Sequence, residues 1–315
     1  MKLIDLFDDD DSRMLENCTL CPRECRVNRL NGGKGYCNID AGINISSICI
    51  HNGEEPVISG EKGICNIFFA GCNMRCSYCQ NWEISRPCRD TVNSGMEIPV
   101  VLDRIEEILS SGITAVGFVS PSHVVPQMRA IIRGLHSRGV EPITVYNTNS
   151  YDKVETVRGI SDLIDVYLPD YKYISPEISS KLSGTSDYGE VALRALKEMY
   201  YQKGSTLSTN ASGVAERGML IRHLVLPGHV DESIKVLRSV AEELSPGVNL
   251  SLMSQYHPTP DVMHHSDLNR LLYRSEYETV VKEMEILGFR NGWLQDMESY
   301  KNYLPDFSRE NPFEQ

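Results

Sequence analysis

The residues best suited to chemistry are three cysteines, Cys72, Cys76 and Cys79, in a C-x3-C-x2-C pattern. Three thiolates can hold three irons of a cubane [4Fe-4S] cluster, whereas full ligation needs four cysteines. The fourth iron is then open, as a catalytic zinc site keeps one position free for its reactant. An open iron can bind a substrate and pass it an electron directly. The alternatives are three buried thiols that act as small apolar residues and a zinc knuckle that borrows another cysteine.

A second group of four cysteines lies near the N-terminus: Cys18, Cys21, Cys25 and Cys37. Their C-x2-C-x3-C-x11-C spacing places four thiols within twenty residues, among a proline and several glycines that bend the chain. The pattern predicts a complete metal site, which is either an auxiliary [4Fe-4S] cluster or a four-cysteine zinc site. A loop-rich lobe with reduced thiols is the alternative. The other cysteines that lack partner spacing are predicted to be buried thiols: Cys49, Cys65 and Cys88.

Composition narrows the class of protein and its partners. The 315 residues include 31 basic and 43 acidic side chains, for a net charge of −12. A nucleic-acid-binding surface needs clustered Lys and Arg, so no nucleic-acid partner is expected. No stretch approaches the ~18 apolar residues of a membrane span, and residues 1–14 lack the apolar run of a secretory signal. Ten cysteines without an export signal therefore indicate a reducing cytoplasm and no membrane partner.

Six short apolar runs predict the elements that position the cysteines. These predicted strands are residues 67–70, 113–119, 143–146, 163–168, 221–226 and 248–253. Helical periodicity lies between them at residues 101–109, 125–135, 191–199, 231–244 and 280–287, is weak at 152–159, and gives way to a loop at 203–218. Asp231 is the predicted N-cap of its helix. Strands alternating with helices predict an α/β fold with a parallel sheet, whose strands carry active sites at their carboxyl ends. The first strand ends at Gly71, immediately before the cysteine loop.

Residues 71–81, with Tyr78 before the last cysteine, resemble the cluster loop of the radical S-adenosylmethionine (SAM) superfamily. Within it they resemble the pyruvate formate-lyase activating enzyme group, whose uncharacterised relatives carry cysteines ahead of the barrel. Residues 222–228 and 255–257 fit the same family. The resemblance implies a partial (β/α)6 parallel barrel over residues 61–290, preceded by a Cys-rich lobe at 1–60 and followed by a tail at 291–315. It also implies a [4Fe-4S] cluster on the three cysteines, with SAM at the open iron.

The resemblance further implies which residues contact SAM: Tyr78, Ser120, Asn149, Asp170, Arg222 and His257. In the family, the turn at residues 120–123 binds the SAM amino group, but this chain lacks the usual Gly-Gly-Glu. The turns at 147–150 and 168–172 help to hold SAM and a monovalent cation beside its carboxylate. Asn147 replaces one acidic residue there, which leaves both a cation site and a purely hydrogen-bonding role open. Arg222 is expected to pair with the SAM carboxylate, the alternative being a surface ion pair.

The implied reaction is reductive cleavage of SAM to a 5′-deoxyadenosyl radical, which abstracts hydrogen from a substrate. One possible substrate is a glycine of a glycyl-radical enzyme, and another is a small molecule or a different peptide. A non-enzymatic Fe–S electron-transfer protein is the alternative from another class. Flavodoxin or ferredoxin is the expected electron donor. Trp293 is expected to pack against the barrel instead of binding substrate.

Overall fold

A ten-stranded sheet forms the centre of the computed structural model, which describes residues 2–86, 93–299, 304–309 and 311–313. The strands are β1 (Asn44–His51), β2 (Ile64–Phe69), β3 (Asn93–Ser94), β4 (Ala115–Val119), β5 (Ile143–Thr148), β6 (Val166–Pro169), β7 (Ser208–Thr209), β8 (Ala215–Leu224), β9 (Asn249–Met253) and β10 (Asn291–Leu294). The order β2-β4-β5-β6-β8-β9-β10 is parallel and follows the chain. Strands β1 and β3 extend the β2 edge in antiparallel pairings, and β7 pairs with β8.

The long helices between the parallel strands pack on one face of the sheet, whereas the short helix at Pro56–Ser59 packs on the other face. The α-helices are α1 (Asp9–Glu16), α2 (Pro56–Ser59), α3 (Trp82–Ser85), α4 (Ile98–Leu109), α5 (Val125–Ser137), α6 (Val154–Arg158), α7 (Pro176–Ser183), α8 (Tyr188–Lys203), α9 (Val230–Glu243) and α10 (Arg274–Ile286). Successive strand residues point to opposite faces. In β2, Ile67 and Phe69 join the core beneath the helices, whereas Ile64 joins a smaller cluster on the other face. Two residues of α2, Val57 and Ile58, fill that cluster.

The sheet curves around the face that lacks the long helices. Glu54, which follows β1, accepts hydrogen bonds from Asn66 in β2, Asn147 in β5 and Arg222 in β8. These strands are not neighbours in the sheet, so their side chains meet only across an enclosed interior. Apolar residues fill the amino end of this interior, and polar residues occupy the carboxyl end. The α/β fold with a partial parallel barrel is therefore confirmed.

Several predicted boundaries need correction. The sequence analysis predicted no strand within residues 1–60, yet β1 pairs along the whole length of β2. Strand β10 is a seventh parallel strand, and it lies in the predicted tail. The predicted loop at 203–218 contains β7 and the start of β8. Asp231 is not an N-cap, because α9 begins at Val230 with His229 at the cap position. No helix in the described ranges is long and apolar enough to cross a membrane.

Candidate functional site

The three cysteines of the C-x3-C-x2-C motif face one cavity at the carboxyl ends of the parallel strands. The cavity has a volume of about 370 Å³, and Cys72, Cys76 and Cys79 line it together with Tyr78. Gly71 turns the chain out of β2 with a φ of +76°. A Cβ at this position would lie 2.5 Å from the carbonyl oxygen of Cys37. The loop therefore needs both the conformational freedom of glycine and its lack of a side chain.

Protein donors surround the sulfurs of this loop. The backbone N–H of Met74 and the side-chain amide of Asn149 each donate to Cys72 Sγ over 3.4 Å, and the Ser183 hydroxyl donates to Cys76 Sγ over 3.0 Å. Burial raises the pKa of Cys72 to about 12, so a free thiol would stay protonated there. Iron would supply the positive charge that keeps such sulfurs as thiolates. The donor set therefore fits the three-cysteine [4Fe-4S] cluster expected from the sequence.

Five of the six predicted SAM contacts line the same cavity: Tyr78, Ser120, Asn149, Asp170 and Arg222. Four of them reach it from the carboxyl ends of β4, β5, β6 and β8, where a parallel sheet gathers residues that are distant in the chain. Ser120 has a φ of +55°, and its N–H donates to the carbonyl oxygen of Asn147 over 2.8 Å. Tyr78 hydrogen-bonds through its hydroxyl to Tyr173, so its ring lines the cavity while its polar end is already satisfied.

His257 does not line this cavity in the described structure, so its predicted contact with SAM is not supported. Its Nδ1 lies 3.0 Å from the carbonyl oxygen of Pro258. Gln255 reaches the cavity instead. Because the chain leaves extended structure after Met253, the alternation of β9 does not continue to position 257.

Arg222 lies near the carboxyl end of β8 and organises a buried polar network. Its Nε donates to Asp170 Oδ1 over 2.9 Å, its Nη1 to Glu54 Oε2 over 3.0 Å and its Nη2 to Asn147 Oδ1 over 2.7 Å. Burial alone would lower the pKa of Arg222, but the nearby carboxylates of Asp170, Glu55 and Glu54 raise it. The side chain is only 13% exposed, so the surface-ion-pair alternative is wrong. The predicted pairing with the SAM carboxylate would have to share a guanidinium that already serves three protein groups.

The contacts of Asp170 bear on the predicted monovalent cation. Lys172 Nζ lies 2.7 Å from Asp170 Oδ2, and Arg222 occupies the other oxygen. Burial alone would raise the pKa of Asp170, but Arg222 and Lys172 lower it. Two side-chain cations thus neutralise this carboxylate, and a metal cation would have to displace one of them. The contacts favour the hydrogen-bonding role over the cation site.

The sequence analysis missed two adjacent acidic residues, Glu54 and Glu55, that line the cavity. Glu54 Oε1 accepts from Asn66 over 2.9 Å and from Asn147 over 3.1 Å. Glu55 Oε2 is buried without a hydrogen-bond partner in the described part of the chain and lies 4.0 Å from Arg222 Nη1. Burial raises the pKa of Glu55. The only sequence signal is an acidic pair before a proline, which is typical of many loops and helix starts.

The C-terminal region also contributes to the cavity wall. Trp293 in β10 and Gln295 line it, and Trp293 also packs against the apolar cluster inside the barrel, as the sequence analysis expected. Phe313 lines it too, and its ring centroid lies 3.9 Å from that of His51. His51 Nδ1 is buried without a hydrogen-bond partner among the described residues, and burial lowers the pKa of this histidine.

The N-terminal cysteines surround a second, smaller cavity. Cys18, Cys21, Cys25 and Cys37 all line it. No three His, Cys, Asp or Glu side chains in the described ranges converge as the ligands of a single metal ion do. Cys49 and Cys65 are buried in the core as predicted, whereas Cys88 lies outside the described residues.

The chain is similar in sequence to one protein of unknown function and in fold to a larger protein. No family model matches the chain. An uncharacterized protein of Methanocaldococcus jannaschii, MJ0674, is 28% identical over 291 residues, which cover 90% of this chain and 78% of the relative. Streptococcus suis SuiB has a TM-score of 0.45 and 12% identity, over 72% of this chain and 47% of SuiB. The structure of SuiB bound to S-adenosylmethionine has a TM-score of 0.46 and 13% identity, over 74% of this chain and 50% of SuiB. This chain thus spans about half the length of SuiB.

Proposed function

We propose that this protein is a radical SAM enzyme whose [4Fe-4S] cluster is held by Cys72, Cys76 and Cys79. One observation carries the proposal: Cys72, Cys76 and Cys79 line one cavity of about 370 Å³ at the carboxyl ends of a parallel barrel. With SAM at its open iron, such a cluster supplies a 5′-deoxyadenosyl radical that takes a hydrogen atom from a substrate. The chemistry belongs to the cofactors, and the protein positions them and excludes water.

Different residues of this chain would position the cluster loop, the strand ends and SAM. Asn149 joins the cluster loop to the end of β5, because its amide donates both to Cys72 Sγ over 3.4 Å and to Asn73 Oδ1 over 2.9 Å. Asp170 and Arg222 fix the ends of β6 and β8 relative to each other. This ion pair and the hydrogen bonds of Asn149 keep the polar cavity wall in one arrangement, so SAM would meet prepositioned hydrogen-bonding groups. Ser120 and Asn149 are the residues that we assign to SAM itself.

The cavity favours a small substrate or a short peptide over a glycine of a folded glycyl-radical enzyme. Phe313 and Trp293 line the cavity beside the polar strand ends, and Phe313 packs on His51. A glycine loop of a folded protein would have to fit beside these two aromatic side chains, whereas a small substrate needs less room. The activase function is therefore the second candidate, and flavodoxin or ferredoxin is the proposed electron donor for both.

The decisive experiment is SAM cleavage by anaerobically reconstituted protein with dithionite as the reductant. The parent protein is expected to produce 5′-deoxyadenosine, and the Cys72→Ala/Cys76→Ala/Cys79→Ala variant is expected to produce none. Cys65→Ala is the matched control, because this buried cysteine lies in β2 on the face that packs against the helices. It should retain the activity of the parent.

Two results would contradict the proposal. If the triple variant still forms 5′-deoxyadenosine, the radical chemistry does not depend on this loop. If the parent contains a reducible cluster but leaves SAM intact, the non-enzymatic electron-transfer function is correct instead.

A further inference from the structure

The N-terminal lobe encloses four thiols in one small cavity. Cys18, Cys21 and Cys37 are 7–8% exposed, and Cys25 is half-buried beside them. Two backbone hydrogen bonds hold the turn between Cys18 and Val27: Cys18 N–H donates to Val27 O over 3.0 Å, and Arg26 N–H donates to Cys18 O over 2.9 Å. Four cysteines from a twenty-residue segment thus face one space, although the fold offers no disulfide among them.

A buried cation lies beside these thiols. Arg29 is 1% exposed and lines the cavity. Its guanidinium donates only to carbonyl oxygens, two bonds to Asp40 O (3.2 and 2.7 Å) and one to His123 O (2.6 Å), and it pairs with no carboxylate of the described residues. A buried charge without a counter-charge is costly. The Asp40 carboxylate interacts with Arg29 only at longer range, so thiolates on a metal centre would supply the close negative charge that this guanidinium lacks.

Two further polar side chains that line the cavity have a buried nitrogen without a hydrogen-bond partner among the described residues. His123 is 1% exposed, and its Nδ1 has no hydrogen-bond partner in the described structure. Arg23 Nη2 is likewise buried without one. The Tyr36 N–H already donates to Cys25 Sγ over 3.2 Å, as backbone amides do to metal-bound thiolates. A Cβ on Gly35 would lie 2.8 Å from the same sulfur, so glycine is required for this close approach.

We propose that Cys18, Cys21, Cys25 and Cys37 hold a second [4Fe-4S] cluster in which the protein ligates all four irons. Iron–sulfur is favoured over zinc, because the four thiols share a cavity without converging as single-ion ligands do. Zinc holds its sulfurs at ~2.3 Å, which draws four thiolates closely together. A cubane spreads its four cysteines over separate corners.

The second cluster would lie directly behind the loop that carries the first. Gly71 packs against the carbonyl oxygen of Cys37, and Asn73 lines the N-terminal cavity while Cys72 lines the large one. Arg23 Nε donates to Asn73 O over 2.9 Å and fixes this contact. One layer of backbone thus separates the two sites. In a step that rests on the proposed function, a low-potential one-electron donor reduces the N-terminal cluster, which is reoxidised as it passes that electron to the first cluster.

The first test is iron, sulfide and zinc analysis of anaerobically reconstituted protein. The parent should contain about eight irons per chain, and the Cys72→Ala/Cys76→Ala/Cys79→Ala variant should keep about four. The Cys18→Ala/Cys21→Ala/Cys25→Ala/Cys37→Ala variant should also keep about four if it folds, as judged by circular dichroism. If it does not fold, the triple variant decides alone. Zinc in place of iron in that variant, or no metal with the fold intact, would overturn the proposal.

The second test is electron paramagnetic resonance of the dithionite-reduced proteins. Two reduced clusters on opposite sides of one backbone layer should interact magnetically, so the spectrum of the parent should be broader than the sum of the two single-cluster spectra. A parent spectrum equal to that sum would refute the close placement and the electron relay. Neither readout requires SAM cleavage, so failure of the proposed function would leave both results interpretable.

Discussion

Replacing Arg222 with methionine tests whether the buried charge network holds the barrel together. The variant keeps much of the side-chain volume but leaves Glu54 and Asp170 without their shared cation. Removal of one partner from a buried ion pair costs about 3–5 kcal/mol. Near 60 °C, unfolding entropy is about 2.1 cal/mol/K per residue, or roughly 0.66 kcal/mol/K for 315 residues. We therefore expect the thermal unfolding midpoint of the reconstituted protein to fall by about 5–8 °C at pH 8.

The loss of stability in the Arg222→Met variant should depend on pH, and it should be larger at high pH than at low pH. In the parent, Arg222 and Lys172 lower the pKa of Asp170, so the stability that this carboxylate contributes is present above its unfolded pKa and is lost as the pH falls through its folded pKa. In the parent, burial raises the pKa of Glu55 and Arg222 opposes that rise, so without Arg222 the folded pKa of Glu55 should lie further above its unfolded value. Stability is then retained at low pH and lost as the pH rises through the folded pKa. The midpoint difference between variant and parent should therefore be smaller at pH 5 than at pH 8.

The matched control is Arg217→Met, which removes an exposed arginine from the same strand. Exposed substitutions usually stay within about 0.5 kcal/mol, which corresponds here to less than about 1 °C. Differential scanning fluorimetry under anaerobic conditions gives both midpoints. The reasoning is refuted if Arg222→Met unfolds within 2 °C of Arg217→Met at pH 8, or if its deficit grows towards pH 5.

Two further predictions concern the cysteine loop. Ser183→Ala removes the hydroxyl that donates to Cys76 Sγ over 3.0 Å. The reduction potential of the cluster should therefore become more negative in a spectroscopic redox titration. Ser180→Ala, on the exposed face of the same helix, should leave the potential unchanged. Gly71 and Gly139 have nearly the same φ, +76° and +77°, but only at Gly71 would an added Cβ lie within 4 Å of backbone atoms. Gly139→Ala should therefore lower the free energy of unfolding by about 1–2 kcal/mol, and Gly71→Ala by about 1–3 kcal/mol more, as measured by thermal unfolding. Equal losses for the two glycines would show that Gly71 is not tightly packed.

The sequence alone determined the features that depend on local spacing. The two cysteine groups are visible because ligands in one loop have a fixed separation along the chain. The strands of the α/β fold are visible because each is a short apolar run between helical repeats. The position of the cysteine loop follows from these, since β2 must end before Gly71 can turn the chain. Resemblance to a family then placed five further residues in the cavity.

Tertiary structure alone decided which distant residues meet. Arg222 and Glu54 are 168 positions apart and come together only because the sheet curves. No local pattern encodes this curvature, so the sequence showed neither the network of Arg222 nor the acidic pair that completes it. The position of His257 outside the cavity lining also depends on tertiary structure, because the chain leaves β9 before it reaches this residue. The close approach of Cys37 to Gly71 likewise depends on how the N-terminal segment packs against the end of β2. Spacing along the chain specifies each cysteine group separately, but only packing places the two groups on opposite sides of the loop at residues 71–73.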